Sequence, residues 1–334
     1  MCPIVTILCA ATLAYAQDAV TFRTGVSLVH VDAEVLGQDG RILTGFHKED
    51  FRVFDERKEQ PILQFAAEEQ PLDLILLFDI SGSMRGVVQE VADAARQGLH
   101  QLQPGDRVCV MVFNSRSREI APFTEDLDAV DRTIQSDVLG LNFGGGTLIQ
   151  AAVSDAAMRF RREPRTERRR AVLIITDNMG TRTRREASVV QEFWESDAIL
   201  SGLIVRNPAF QAMRTVGIIL GPQNLAMQAG MKGIAEKTGG DALTANEPGT
   251  AFQEAMRRIR TRYSLYYAPP EAKPGTTRAI RVELARDAAQ RFPKSRLRAR
   301  TGYVVPYPAK SAPSSRYNGG KIVKGECFSS LLSG

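Results

Sequence analysis

Four runs of the chain are apolar at nearly every position: LILLFD at 74–79, VCVMVF at 108–113, AVLIITD at 171–177 and AILSGLIV at 198–205. A strand with one face in water alternates apolar and polar residues, so a continuous apolar run needs cover on both faces. The segments between the runs can supply it. Val88, Val91, Ala95, Leu99 and Leu102 fall on one helical stripe, and helical patterns also fit 125–138, 149–161, 184–196, 225–237 and 250–260. Strands alternating with helices in this way predict an α/β domain over 71–262, with a Rossmann-like, doubly wound, mostly parallel sheet and helices on both faces.

On either side of that domain the period changes to two. Val29, Val31, Ala33 and Val35 share one face, with His30, Asp32 and Glu34 on the other. Asp39-Gly40 then supplies a hairpin-type turn, and FRVFD and PILQF suggest further short strands. After Arg262 the alternation returns in Tyr263, Leu265 and Tyr267, then in Ile280, Val282 and Leu284, then in Leu297, Ala299 and Thr301. Neither flank is long enough to bury much core alone. The expectation is therefore that 17–70 and 263–307 pair into one small β-sandwich-like module with the α/β domain inserted between them. The segment 308–334, rich in Ser, Gly and Lys, is expected to be a disordered tail.

At 43% hydrophobic and 24% charged residues the composition is that of an ordinary globular chain. The net charge of +5 is local. It concentrates in RFRREPRTERRR, from Arg159 to Arg170, and in the arginines between Arg257 and Arg300. Such a run reads as a solvated face or loop. Without interleaved aromatics or a reading module it does not imply nucleic-acid binding. The N-terminal stretch ends in Ala14-Tyr15-Ala16, which fits a signal-peptide cleavage site and predicts export, periplasmic or extracellular, with 1–16 removed. The apolar part is too short to span a bilayer, and no transmembrane segment is expected elsewhere. Cys9 follows Leu8 rather than a small residue, which argues against a lipoprotein anchor. Cleavage leaves Cys109, inside a strand-like run, and Cys327, so neither a disulfide framework nor a Cys-rich zinc site is available.

In an open parallel sheet, ligands bind beyond the carboxyl ends of the strands. There the sequence places Asp79, Ser81 and Ser83 in DISGS, Thr147 after three glycines in LNFGGGTLIQ, and Asp177 in AVLIITDN. All are hard oxygen donors, which favours Mg²⁺, Mn²⁺ or Ca²⁺ over zinc. Gly82 lets the chain curl so that the first three oxygens converge. Each residue alone has a plainer use. Ser83 can cap the next helix, Thr147 with Gln150 fits a capping box, and Asp177 can turn the loop that follows.

Together, D-x-S-x-S after a buried strand, a Gly-rich loop ending in Thr, and T-D after another strand resemble the von Willebrand factor type A domain with its metal-ion-dependent adhesion site. The resemblance covers about 71–262. The flanks, including RYSLYYAPP and LRARTGYV, are similar to bacterial exported proteins called VWFA-related. The resemblance implies that Ser81, Ser83 and Thr147 offer hydroxyls to a divalent ion and that Asp79 and Asp177 hold it, in part through water. One coordination position would remain for a carboxylate on a protein partner. Asn178 stands where related sequences often have Gly, and Asn tolerates left-handed geometry better than most residues.

The function this implies is a non-enzymatic, metal-dependent protein-binding or adhesion module. A Mg²⁺ phosphotransferase with Asp79 as nucleophile is the rival from another class, but its proton donor would have to stand where Ser81 stands. The glycines before Thr147 lack the Lys of a P-loop, SGSMRG is not G-x-S-x-G, and His30, His47 and His100 lie outside the strand-end loops. A third reading is a structural envelope component whose fold the metal stabilises.

Overall fold

The computed structural model describes residues 28–67, 70–164, 166–181, 183–206, 230–245 and 247–307. The signal segment 1–16, the tail 308–334 with Cys327, and the first part of the helix expected over 225–237 lie outside the described residues.

The four apolar runs are strands of one six-stranded sheet. These are β5 (Leu72–Asp79), β6 (Arg107–Phe113), β8 (Arg169–Thr176) and β9 (Ala198–Val205). The sheet is completed by β7 (Ser117–Thr124) and β10 (Ala242–Ala245), in the order β10-β9-β8-β5-β6-β7. All neighbours are parallel except β6 and β7. The chain runs from β5 to β6 on one side and later to β8 on the other, so the order reverses beside β5. This is the position at which such sheets open a crevice.

Successive side chains of β5 enter two different cores. Leu72, Leu74, Leu76 and Phe78 meet α1 (Val88–Leu99) and α6 (Pro248–Arg260), through Val91, Ala95, Phe252 and Met256. Ile75 and Leu77 meet α3 (Ile149–Phe160), α4 (Glu186–Ser196) and α5 (Met231–Thr238), through Val153, Phe160, Phe193 and Ile234. That two-sided burial is why the run carries no alternation. The helix expected over 125–138 is a short α2 (Leu127–Arg132) that widens into a π-helical turn, Thr133–Val138.

The flanks interleave. The first contributes β1 (Val29–Leu36), β2 (Phe51–Asp55), β3 (Lys58–Gln60) and β4 (Gln64–Ala66). The second contributes β11 (Tyr263–Tyr267), β12 (Thr277–Leu284), β13 (Arg296–Ala299) and β14 (Gly302–Val304), with a short helix α7 (Arg286–Arg291). They form two four-stranded antiparallel sheets, β13-β1-β11-β4 and β14-β12-β2-β3, each drawing on both flanks. One core joins the sheets, with Val31, Ala33, Val35, Phe51, Val53, Leu265 and Ile280 inside it. Buried Asp55 ties it together, accepting from the Tyr267 and Tyr303 hydroxyls at 3.0 and 2.7 Å and from Arg278 Nε at 2.7 Å.

The polar face of β1, which alternation alone would leave to water, packs on the α/β domain. Glu34 is wholly buried and Asp32 nearly so. The basic run also differs from the solvated loop expected of it. Arg169 and Arg170 open β8 and are 2% and 6% exposed. Arg169 donates to Asp32 at 3.0 Å, to the Arg260 carbonyl at 2.7 Å and to the Ser264 hydroxyl at 3.2 Å. Arg170 donates to the carbonyls of Ser196 and Pro164 at 3.2 and 2.7 Å. Arg168 pairs with buried Asp73 at 2.6 Å, and Arg159 with Glu163 at 2.8 Å. Of these, Arg169 holds the sandwich to the amino ends of the strands, through Asp32 and Ser264.

Around them, His30 lies 3.3 Å from both Asp32 and Asp197. Burial alone would push its pKa down, but the two carboxylates outweigh it and lift it to about 10. Arg262, buried against Glu34 at 3.9 Å, completes the layer.

Candidate metal centre

The opposite edge of the same sheet is built from three loops. After β5 the chain turns through a 3₁₀ segment, Gly82–Met84. That turn supplies the expected curl without a positive φ at Gly82. It draws the Ser81 and Ser83 hydroxyls to 3.2 Å of each other. Asp79, 2% exposed, accepts the Ser81 N–H at 2.8 Å on Oδ1 and the Thr176 hydroxyl at 2.6 Å on Oδ2. Helix α1 begins only at Val88 with Val87 as its N-cap, so Ser83 is not a helix cap. Its hydroxyl is close enough to the Asp177 carboxylate to oppose the rise in that carboxyl's pKa.

Thr147 reaches the same place by its backbone. Its carbonyl accepts from Thr181 N–H at 3.1 Å, and a Cβ on Gly180 would sit only 2.7 Å from that oxygen. The two loops are in close contact because residue 180 is glycine. Helix α3 starts at Ile149 with Leu148 at the N-cap, and the capping box does not form. Gln150 turns the other way and accepts the N–H groups of Thr183 and Arg184, both at 3.0 Å. The Gly-rich loop is fixed to the β5 loop by Gly144 N–H on the Ile80 carbonyl at 3.0 Å. Asn114 donates to the Gly144 carbonyl at 3.0 Å, and Arg85 donates to the Phe143 carbonyl.

Asp177 does turn its loop, accepting Met179 N–H at 2.9 Å on Oδ1. Its Oδ2 is buried with no hydrogen-bond partner. Asn178 adopts the left-handed region, φ 58°, which is the geometry a Gly would supply there. Burial raises the pKa of both carboxyls. Asp79 is pushed up to about 6, with the Ser81 and Thr176 hydrogen bonds opposing and the Asp177 charge adding. For Asp177 burial again leads, opposed by the Ser83 and Met179 hydrogen bonds. Buried Asp79 and half-buried Asp177, the latter with an orphaned oxygen and neither with a cation beside it among the described residues, are an incomplete electrostatic arrangement.

The residues present fit a hard divalent cation: carboxylate and hydroxyl oxygens, no imidazole or thiolate, and an unsatisfied buried lone pair. No group of three or more His, Cys, Asp or Glu side chains suited to a metal occurs among the described residues. Any centre here therefore needs hydroxyl donors. Asp79, Ser81 and Ser83 are linked by direct hydrogen bonds, Asp177 is near enough to raise the Asp79 carboxyl, and the Thr147 carbonyl meets the loop beyond Asp177. Two residues were not in the expected set. Thr176 positions Asp79 and also accepts Asn178 N–H at 3.0 Å; the T-D pair at the strand end was the available signal. Asn114 orders the Gly-rich loop, and no spacing in the sequence announces it.

Cys109 is a buried thiol whose pKa burial pushes up to about 12, so it takes no part in this chemistry.

Residues 74–180 match the family model for the von Willebrand factor type A domain. Several solved structures align with the chain. The protein BatB from Bacteroides thetaiotaomicron is 20% identical over 56% of this chain and 97% of its own, with a TM-score of 0.44. A von Willebrand factor type A protein from Catenulispora acidiphila is 11% identical over 85% and 76%, with a TM-score of 0.45. Proximal thread matrix protein 1 from the mussel byssus, with a zinc-occupied MIDAS motif, is 12% identical over 63% and 50%, with a TM-score of 0.43. No curated protein sequence matches the chain. The doubly wound sheet, the strand-end loops and the family match over 74–180 together identify a von Willebrand factor type A domain in this chain.

Proposed function

We propose that the protein is an exported, non-enzymatic binding module that recognises a protein partner through a divalent cation held by Asp79, Ser81, Ser83, Thr147 and Asp177. The observation that carries this reading is the buried, unpartnered Oδ2 of Asp177, close enough to Asp79 for its charge to raise the Asp79 carboxyl. Bound there, Mg²⁺, or Mn²⁺ or Ca²⁺, supplies the positive charge that balances both carboxylates and an exchangeable position for a partner's carboxylate. The chain's own part is to hold three hydroxyls and two carboxylates in fixed loops, with Thr176 orienting Asp79 and Gln150 securing the loop beyond Asp177. The non-enzymatic reading is supported by the sequence, in which His30, His47 and His100 lie outside the strand-end loops. Among the described residues no helix is long and apolar enough to cross a membrane. Export is read from Ala14-Tyr15-Ala16 in the sequence.

The test is a Mg²⁺ titration of thermal stability, joined to a crosslinked pull-down from envelope fractions with and without Mg²⁺. Mg²⁺ at a hundredfold over its Kd is expected to add about 2.7 kcal/mol, and Asp79→Ala to abolish the gain. A partner list unchanged by EDTA and by Asp79→Ala would overturn metal-dependent recognition.

A further inference from the structure

The loops that frame the metal centre carry a one-sided charge. Segments 80–87, 114–116, 139–148, 177–181 and 183–185 contain four arginines, Arg85, Arg116, Arg184 and Arg185, and one acid, Asp177. In a chain with 43 basic and 38 acidic residues this is not the average surface. Because β5, β6 and β8 are parallel, the loops that follow them lie at one edge of the sheet.

Three of these arginines are exposed and have no carboxylate partner among the described residues: Arg85, Arg116 and Arg185. Arg85 donates to the Phe143 carbonyl, which leaves most of its guanidinium donors to solvent. Arg116 follows the turn that Asn114 anchors to the Gly-rich loop, its own N–H bonded to Asn114 Oδ1 at 3.2 Å. Arg185 is the N-cap of α4, directly after the two N–H groups that Gln150 holds. The nearby acids are already engaged. Glu192 pairs with Arg184 at 2.9 Å, Glu186 with Lys237 at 2.7 Å, and Asp155 accepts from the Ser117 hydroxyl. Between Arg116 and the first turns of α3 lies a hollow of about 370 Å³, floored by Leu148, Ala151 and Ala152 and bounded by Asp155, so an acidic segment is expected to meet Arg116 from its open side.

Resting on the metal-dependent reading above, we infer that the partner presents an acidic peptide segment: one carboxylate for the metal position, and neighbouring carboxylates for Arg85, Arg116 and Arg185. Guanidinium forks suit carboxylates, and a like-signed rim steers an acidic segment and repels a basic one. A nucleic acid fits less well, because the rim offers no exposed aromatic side chain for stacking.

The test uses the full chain with Mg²⁺ and three probes of equal length: hexaglutamate, a Ser/Gly peptide with one central Glu, and a single-stranded oligonucleotide. Hexaglutamate is expected to bind about tenfold tighter than the single-Glu peptide at low salt, the advantage shrinking as salt screens the exposed pairs. Replacing Arg116 and Arg185 together by Ser should erase most of that advantage and leave single-Glu binding and its EDTA sensitivity unchanged; Arg85, which also holds the Phe143 carbonyl, is kept. Each single replacement should give part of the loss, and an unchanged melting temperature shows the fold is kept. Equal affinity for the two peptides, or a double variant that keeps the preference, overturns the inference. Tighter binding of the oligonucleotide overturns it in favour of a polyphosphate ligand. Peptide binding indifferent to EDTA and to Asp79→Ala, yet lost in the double variant, instead rejects the metal-dependent reading and leaves the acidic preference standing.

Discussion

The two edges of the central sheet both bury charge, and they dispose of it in opposite ways. At the amino edge acids face cations, although both Glu34 oxygens, His30 Nε2 and Arg262 Nη2 make no hydrogen bond there. Asp32 meets Arg169 and His30, Asp197 meets Arg300 at 2.7 Å, and Glu34 meets Arg262 and Arg298. The carboxyl edge gives Asp79 and Asp177 only hydroxyl and N–H donors. A closed ionic layer fixes two modules in place, whereas an open one retains a use for an external cation. The difference also explains why burial of charge by itself does not mark a functional site.

The comparison breaks most visibly if the amino edge is opened. Arg169→Ala strands Asp32 in the junction and is expected to cost about 3–5 kcal/mol, read as a shift in urea midpoint at constant slope. A loss comparable to that of an exposed arginine would mean that the layer does not hold the sandwich.

The next largest effect separates the edges by pH. In metal-free protein Asp79 titrates near 6 when folded, above its ordinary 3.8, so the folded state binds the proton more tightly than the unfolded state does. Its contribution to stability is complete below the ordinary value and is lost as pH rises through about 6, by about 3 kcal/mol in all. Asp79→Asn should remove that decline, seen as divergence of the two stability–pH curves in EDTA. His30 has the same sign in a higher window: its contribution is full below 6.5 and lost as pH rises through about 10. Parallel curves for wild type and Asp79→Asn across the lower window would show that the carboxyl edge is closed after all.

A smaller effect should appear in metal affinity. Gly180→Ala pushes a methyl group into the Thr147 carbonyl and is expected to cost about 1–3 kcal/mol through overpacking. Part of that cost should appear as weaker Mg²⁺ binding by calorimetry; unchanged affinity would detach Thr147 from the centre. Smallest is Asn178→Ala, where φ 58° penalises a side chain that cannot hydrogen-bond locally, by about 1 kcal/mol. Asn178→Gly should restore the stability, and a melting curve compares the two.

The long apolar strands were legible because burial on two faces leaves an unbroken run that tolerates few other readings. The same holds for Asp79, Ser81, Ser83 and Asp177, whose positions follow from where those strands stop. Edge strand β7 was not legible: Ser117–Thr124 contains Pro122, is half exposed and pairs through a register shift with β6. Arg169 and Arg170 were misread because a run of arginines looks alike in solvent and opposite buried carboxylates. The partners of Arg169, Asp32 and Ser264, lie 137 and 95 residues away in sequence. The capping box that Thr147 and Gln150 suggested does not form, since Gln150 serves the 183–184 backbone instead.

The interleaving of the flanks has a kinetic consequence. Ser264 and Asp32 hydrogen-bond across 232 residues, and β1 finds both its neighbours only in β11 and β13. Contacts so remote in sequence bear the closure cost before any reward, which slows their formation. The parallel sheet can assemble while Val29, Val31, Ala33 and Val35 still wait, unpaired, for strands not yet synthesised. Assembly therefore has a built-in order: the α/β domain first, the sandwich last. A lesion confined to β11 or β13 would leave the earliest strands as open, apolar edges, and its first symptom would be aggregation rather than loss of binding.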